Sequence, residues 1–141
     1  MIILSVDYGD VRTGIAVCDK MQMLASPVCF ITQRNSEKLS EEIAEIAKSK
    51  NAQRIVVGLP KNMDGSEGFR AQACKEFAQV LREKTQLEVC FQDERLTTVS
   101  AHNILNQTNT RGKKRKQTVD AVAAVLILED YLNKLKQQNT I

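Results

Sequence analysis

Hydrophobic positions in the first third of the chain predict three short strands. Apolar residues alternate or cluster at 2–7, 13–18 and 25–32, and a five-residue turn, 8–12, separates the first two runs. Strands joined by short turns pair antiparallel, because a parallel pair needs a long crossover. We therefore expect an antiparallel three-stranded unit at the N-terminus.

A helical period follows this unit. Leu39, Ile43, Ile46 and Ala47 recur at i, i+4, i+7 and i+8, which predicts an amphipathic helix with Ser36 as its N-cap. A strand is predicted over residues 54–59 and a polar loop over 60–68. These elements begin an alternation of strands and helices.

The alternation continues to the C-terminus. A second helix is predicted from one apolar face, made of Phe69, Ala73, Phe77, Val80 and Leu81. A strand over 88–92, a helix from Thr97 or Thr98, a mobile loop over 106–118 and a last helix over 118–136 follow. The whole pattern predicts one α/β domain, residues 1–141. Its mixed five-stranded sheet has three antiparallel strands followed by parallel strands, with helices on both faces.

Composition narrows the class of protein. Of 141 residues, 43% are hydrophobic and 26% are charged, as in ordinary globular proteins. The longest apolar run, 121–128, is far shorter than the roughly 20 residues that span a bilayer. The apolar start, 1–6, lacks the basic leader of a signal peptide, so we expect an unprocessed cytoplasmic protein with no membrane partner.

The four cysteines and the single histidine argue against a zinc site. Cys18, Cys29, Cys74 and Cys90 form no C-x-x-C pair. We expect them to be small reduced core residues. His102 falls in a predicted helix and is expected to pack or to lie on the surface.

Positive charge is concentrated in one segment. The net charge is only +3, but five of the six residues from 111 to 116 are basic, namely Arg111, Lys113, Lys114, Arg115 and Lys116. This run predicts an arm that binds phosphate groups, and such binding is expected to depend on salt concentration. The alternative is a solvated loop without function. Because only 4% of residues are aromatic, the main contacts are expected to be with the nucleic-acid backbone rather than by base stacking.

Three acidic positions could carry chemistry. Asp7 ends the first strand on the face of Ile3 and Ser5, Asp93 and Glu94 end the last strand, and Asp120 begins the apolar face of the last helix. Each position also has a structural explanation. Asp7 could belong to a hairpin turn with Gly9 and Gly14. Asp93 and Glu94 could lie at the start of a helix that Thr97 or Thr98 caps, and Asp120 could compensate a helix dipole. If the three acids meet, a hard cation such as Mg²⁺ (or Mn²⁺) must offset their repulsion.

Four motifs together resemble one family. They cover nearly the whole chain in order: Asp7-Tyr8-Gly9-x-x-Arg12-x-Gly14; Val57-Gly58-Leu59-Pro60-x-Asn62-x-Asp64-Gly65-Ser66-x-Gly68; Asp93-Glu94-Arg95-x-Thr97-Thr98; and Asp120-x-x-Ala123-Ala124. This set is similar to the bacterial YqgF family, also called RuvX, of pre-16S rRNA nucleases that resemble Holliday junction resolvases. One departure is Phe69, where relatives often carry proline.

The resemblance implies an RNase H-like fold and a metal-dependent nuclease that matures the 5′ end of pre-16S rRNA during ribosome biogenesis. It implies Asp7, Glu94 and Asp120 as catalytic metal ligands, although Asp93 is an alternative to Glu94. In a two-metal mechanism, Asp7 would bridge ions about 3.5–4 Å apart. The residues expected to bind the nucleic acid are Arg12, Asn62, Ser66, Arg95, Arg111, Lys113, Lys114, Arg115 and Lys116.

Other functions remain open from the sequence. The chain could be a Holliday junction resolvase-like DNA endonuclease acting on branched DNA, or an RNA-binding ribosome assembly factor without catalysis. The spacing of Asp7, Gly9 and Gly14 is also similar to the phosphate loop of sugar kinases and actin-like ATPases, but those enzymes need two such domains. Structured RNA is the expected partner, and the chain is expected to be a monomer or a weak homodimer.

Overall fold

A mixed five-stranded sheet lies at the centre of the molecule, in a computed structural model that describes residues 1–62, 64–94 and 112–138, the last segment with side chains from residue 122. The strands are β1 Ile3–Asp7, β2 Arg12–Cys18, β3 Ala25–Thr32, β4 Arg54–Leu59 and β5 Glu88–Asp93. They run in the spatial order β3-β2-β1-β4-β5. β1, β2 and β3 pair antiparallel, whereas β1, β4 and β5 pair parallel. The predicted sheet is confirmed.

Helices cover both faces of this sheet, as predicted. They are α1 Ser36–Ser49, α2 Phe69–Thr85 and α3 Gly112–Gln138. α1 and α2 pack on one face, where Leu4 and Val6 enter the larger apolar core. α3 packs on the other face, against Ile3 and Val56. The alternation of side chains along β1 therefore divides the residues between two cores.

The first strand is also tied to α3 by a buried hydrogen bond. The Ser5 hydroxyl, which is fully buried, donates to the Ala124 carbonyl oxygen at 2.7 Å. Asp7 lies two residues farther along the same strand and hence on the same face. Its side chain is therefore directed toward the layer that α3 forms.

Several local predictions were wrong. Asn35, not Ser36, is the N-cap of α1, because its side-chain oxygen accepts a hydrogen bond from the Lys38 amide. Phe69 does not share the buried face of α2, since it begins the helix and is 86% exposed. The last helix begins at Gly112, so residues 112–118 are helical rather than a loop; lysine and arginine are good helix formers.

The remaining sequence predictions fall partly on described residues. Cys18 and Cys74 are buried, Cys29 and Cys90 are half-buried, and all four are free thiols, as expected. The helix predicted from Thr97 or Thr98 lies outside the described residues. Among the described helices, none has the length and apolarity that a bilayer crossing requires.

Candidate active site

The carboxyl ends of three parallel strands meet at one edge of the sheet. β1 ends at Asp7, β4 at Leu59 and β5 at Asp93. The Glu94 amide donates to the Leu59 carbonyl oxygen at 3.0 Å, which extends the β4–β5 pairing by one residue. This bond fixes the backbone of Glu94 beside the end of the central strands.

The structure distinguishes Glu94 from Asp93. Val89 packs in the core under α1 and α2, whereas Cys90 packs against the core under α3. By the two-residue period of a strand, Asp93 follows Val89 and Glu94 follows Cys90. Glu94 therefore shares the α3 face with Asp7, while Asp93 lies on the other face and is exposed.

Asp7 and Glu94 line the same cavity, which has a volume of about 170 Å³. The cavity lies between the sheet edge and two helices, α2 and α3. Both carboxylate oxygens of Glu94 have almost no solvent-accessible surface. The lining residues are Asp7, Tyr8, Gly58, Pro60, Arg70, Cys74, Glu94, Ala123 and Ile127.

Because Gly58 has no side chain, it leaves room for the side chain of Glu94. A Cβ atom at this position would lie 2.9 Å from Cγ of Glu94 and 2.6 Å from Cδ1 of Ile127. Neither distance is compatible with ordinary packing. The glycine of the second motif is therefore required by close packing of strand, acid and helix.

Arg70 joins α2 to the turn that follows Asp7. Its guanidinium donates to the Tyr8 carbonyl oxygen at 2.7 Å and forms a short ion pair with Asp10. It also lies over the Tyr8 ring, 5.8 Å from the ring centroid. The Tyr8 ring stacks in turn on Phe77, with 4.3 Å between centroids. These contacts fix the turn and place a cation at the cavity wall.

Cys74 contributes a thiol rather than a thiolate to the cavity wall. Burial raises the pKa of Cys74 to about 11, with a smaller contribution from the negative charge of Asp7. A thiol that stays protonated at neutral pH is a poor metal ligand. The donors that remain from Asp7 and Glu94 are carboxylate oxygens.

This donor set fits a hard divalent cation. Mg²⁺ and Mn²⁺ bind through oxygen ligands, and carboxylates in a confined site need a compensating positive charge. Among the side chains that the structure describes, no group of three or more histidine, cysteine, aspartate or glutamate residues could hold a metal ion. The pair of carboxylates is thus an incomplete ligand set within the described residues.

Asp120, the third acid of the prediction, lies in α3. Its side chain is outside the described part of that helix. The same holds for Lys113, Lys114, Arg115 and Lys116, whose backbone belongs to the first turns of α3. Arg95 and Arg111 lie outside the described residues altogether, as do Thr97, Thr98 and His102.

Arg12 begins β2 on the α3 face, two residues before Gly14, which pairs with Asp7. Its Nη1 atom is buried and has no hydrogen-bond partner among the described residues. Arg12 does not line the cavity of Asp7 and Glu94. The structure thus places this cation on the acidic face but not in the cavity wall.

Asn62 and Ser66 belong to a loop and do not line the cavity of Asp7 and Glu94. The Asn62 amide group donates to the Ser66 hydroxyl at 2.9 Å, and that hydroxyl donates to Asp64 at 2.6 Å. Gly65 allows the turn because its φ is 89°. The polar side chains of the second motif therefore stabilise their own loop, and both Asn62 and Ser66 are exposed.

Two lining residues, Arg70 and Cys74, were not identified from the sequence. They lie four residues apart on one face of α2. A signal for Arg70 was present, because a cation in the first turn of a helix opposes the helix dipole, and this first turn carries no acid. No comparable signal marks Cys74.

Comparison with known proteins finds relatives that match nearly the whole chain. The family described as RuvX: Holliday junction resolvase matches residues 1–134. A Bacillus cytotoxicus protein named "Putative pre-16S rRNA nuclease" is 42% identical over 135 residues, covering 94% of this chain and 98% of its own. An Agathobacter rectalis protein of the same name is 39% identical over 143 residues, covering 99% and 100%.

Solved structures share the fold at low sequence identity. T. thermophilus RuvC in complex with Holliday junction substrate matches with a TM-score of 0.59 and 11% identity, covering 95% of this chain and 96% of RuvC. The fowlpox virus Holliday junction resolvase matches with a TM-score of 0.55 and 13% identity, covering 95% and 99%. The sheet and its helices thus have the RNase H-like architecture of these resolvases.

Proposed function

This chain belongs to the RuvX family, and from that membership we propose that it is a metal-dependent nuclease that hydrolyses phosphodiester bonds of pre-16S rRNA. The observation that carries the proposal is the shared cavity of Asp7 and Glu94. These two acids are far apart in the sequence, yet they line one small space at a sheet edge.

Asp7, Glu94 and Asp120 are the proposed metal ligands. Asp120 precedes the cavity residue Ala123 by three positions, which is the spacing of neighbours on one helix face. A bound Mg²⁺ or Mn²⁺ would supply a water of lowered pKa and would offset the charge of the phosphate. The chain itself contributes the negative charges that hold the ion and the packing that keeps Glu94 in place.

Cations of the chain are proposed to hold the substrate. Arg70 lies at the cavity wall, and its contacts with Tyr8 and Asp10 fix its position before substrate binds. Arg12 and Arg95 are proposed to orient phosphates. Arg111 and the four basic residues at 113–116 are proposed to bind the flanking backbone, with Asn62 and Ser66 adding hydrogen bonds from their loop.

Ribosomal RNA is the proposed substrate because the relatives at about 40% identity carry the name of a pre-16S rRNA nuclease. A role in maturing this RNA means that the protein would work in the cytoplasm. The family description favours one second candidate, cleavage of a four-way DNA junction. A monomer or a weak homodimer is proposed for either substrate.

The test compares cleavage of three labelled substrates: pre-16S rRNA, single-stranded RNA and a four-way DNA junction. Each is incubated with Mg²⁺ or Mn²⁺ and with wild type, Asp7→Asn, Glu94→Gln or Asp120→Asn. We expect wild type to cut the ribosomal precursor and each variant to lose at least about 100-fold in rate, because each loses a charged ligand of the ion.

Two control variants make the result specific. Asp130→Asn removes an exposed carboxylate ten residues farther along α3, and Asp93→Asn removes the neighbour of Glu94 on the opposite face. Both should retain wild-type activity. Full activity of folded Asp7→Asn would contradict the proposal, and binding of RNA without metal-dependent cleavage by wild type would favour an assembly factor instead.

A further inference from the structure

Phe69 differs from every other aromatic residue of this protein. The chain has four phenylalanines and two tyrosines, and all six are described. Five of them are buried or half-buried, whereas Phe69 is 86% exposed. A large apolar side chain is thus presented to solvent, and packing in the core does not explain it.

Phe69 also lies next to the candidate active site. It precedes Arg70, which lines the cavity of Asp7 and Glu94. Consecutive residues of a helix point about 100° apart, so Phe69 lies beside the cavity rather than in it. The Arg70–Asp10 ion pair connects this position to the β1–β2 turn, where Val11 is 40% exposed. At the rim of the site, the exposed apolar residue Phe69 is therefore next to Arg70, and the exposed apolar residue Val11 is next to its ion-pair partner.

The start of α2 fixes the position of Phe69. This residue is the first of the helix, after Gly68, whose extended backbone precedes it. Arg70 then holds the first turn to the Tyr8 carbonyl oxygen and to Asp10. An aromatic ring held at a defined place beside a cation is suited to contact a planar group next to a phosphate.

We propose that Phe69 stacks on an unpaired nucleobase of the substrate, beside the phosphate that enters the cavity. This inference rests on the proposed nuclease function and specifies the substrate at that point. A base in an intact duplex is already stacked on both neighbours, whereas an unpaired base has a free face for the ring. The site then prefers a strand that is single-stranded, looped or frayed where it is cut.

A fluorescent variant tests the contact directly. The chain contains no tryptophan, so Phe69→Trp introduces a unique indole at the proposed platform. In an Asp7→Asn background, single-stranded RNA should quench this fluorescence in a saturable titration, and the same sequence as a duplex should quench it much less. Met21→Trp is the matched control: Met21 is 77% exposed in the turn between β2 and β3, at the opposite edge of the sheet.

Affinity measurements separate stacking from general apolarity. Phe69→Ala should weaken binding of single-stranded RNA by roughly 5- to 100-fold, with little change for the duplex. Phe69→Tyr should retain the affinity, whereas Phe69→Leu, which keeps an apolar side chain without a ring, should not. Because Phe69 is exposed, these variants are expected to fold, and circular dichroism checks this.

The outcomes distinguish this inference from the nuclease proposal. Equal affinities of Phe69→Leu, Phe69→Ala and wild type would overturn the stacking inference, and so would equal quenching of the Phe69→Trp and Met21→Trp variants. Those results leave metal-dependent cleavage intact. Conversely, full cleavage activity of Asp7→Asn would refute the nuclease site, whatever the Phe69 variants show.

Discussion

The side chain of Ile127 in α3 packs directly on the backbone of Gly58 in β4. A Cβ atom at Gly58 would lie only 2.6 Å from Cδ1 of Ile127. The helix thereby approaches the sheet closely beside the side chain of Glu94, whose Cγ would lie 2.9 Å from the same Cβ atom. Packing of the core and placement of the proposed catalytic acid Glu94 therefore both depend on residue 58 being a glycine, which has no side chain.

Substitution of Gly58 should affect both properties. Gly58→Ala inserts a methyl group into a filled space and should lower the free energy of unfolding by about 1–3 kcal/mol. It should also reduce cleavage, because the methyl group displaces Glu94. Urea denaturation and a cleavage assay measure the two effects.

A second substitution separates the effect on stability from the effect on cleavage. Ile127→Val removes Cδ1, so the double variant Gly58→Ala/Ile127→Val should recover part of the stability. Cleavage should stay low, since the contact with Glu94 remains. Recovery of full activity in the double variant would show that Gly58 acts through helix packing alone.

Arg70 and Arg82 form a natural pair for comparison within α2. Arg82 donates to the Val89 carbonyl oxygen at 2.8 Å and lies 5.8 Å from the centroid of the Phe91 ring. Arg70 makes the equivalent contacts with Tyr8, but at the cavity. We expect Arg70→Gln to lower the rate of cleavage roughly 10- to 100-fold, as loss of one charged hydrogen bond to substrate does.

Arg82→Gln is the control for this prediction. It should cost a similar amount of folding stability, because it loses similar protein contacts, and it should leave cleavage unchanged. Equal losses of activity in both variants would indicate that Arg70 acts only by stabilising the helix.

The hydroxyl of Ser5 should contribute to the docking of α3. Ser5→Ala removes a buried hydrogen bond to the Ala124 carbonyl oxygen and should lower the free energy of unfolding by about 1 kcal/mol. Ser49→Ala removes a similar bond to the Ile46 carbonyl oxygen, but on an exposed surface, and should have a smaller effect. Chemical denaturation of both variants tests whether burial makes the difference.

The raised pKa of the Cys74 thiol predicts that the protein loses folding stability at alkaline pH. Burial raises the pKa of this thiol from 9.0 to about 11, so the folded protein holds the proton more tightly than the unfolded chain does. The stabilisation is complete below about pH 9 and is lost as the pH rises toward about pH 11. Unfolding measured across this range should show a shallower decline for Cys74→Ala than for wild type; parallel curves would contradict the assignment.

The basic segment at the start of α3 should determine the salt dependence of binding. Replacing Lys113, Lys114 and Lys116 by glutamine should reduce the slope of log affinity against log salt by about 2 for a single strand, if each lysine neutralises one phosphate. Replacing Lys20, Lys48 and Lys50 removes the same charge near the opposite edge of the sheet. That control should change the slope much less.

Short apolar runs and the lengths of the segments between them were sufficient to predict the sheet. The strands over 25–32 and 54–59 were predicted with the bounds that the structure has, because a short apolar run is typical of a strand that packs in a core, and β4 is buried along almost its whole length. Ends of helices were less predictable. Asn35 and Ser36 are both good N-caps, and only the extended backbone of Asn35 and the hydrogen bond that its side chain accepts from the Lys38 amide decide between them.

The sequence by itself determined the family, the order of the strands along the chain and the acids that end the first and last of them, since these depend on local pattern and on motifs along the chain. Only the tertiary structure decided that Glu94 rather than Asp93 reaches the cavity of Asp7, that Arg70 and Cys74 line it, and that Phe69 is exposed. The physical reason is that register and packing relate residues far apart in sequence. A shift of one residue along a strand reverses the face on which a side chain lies.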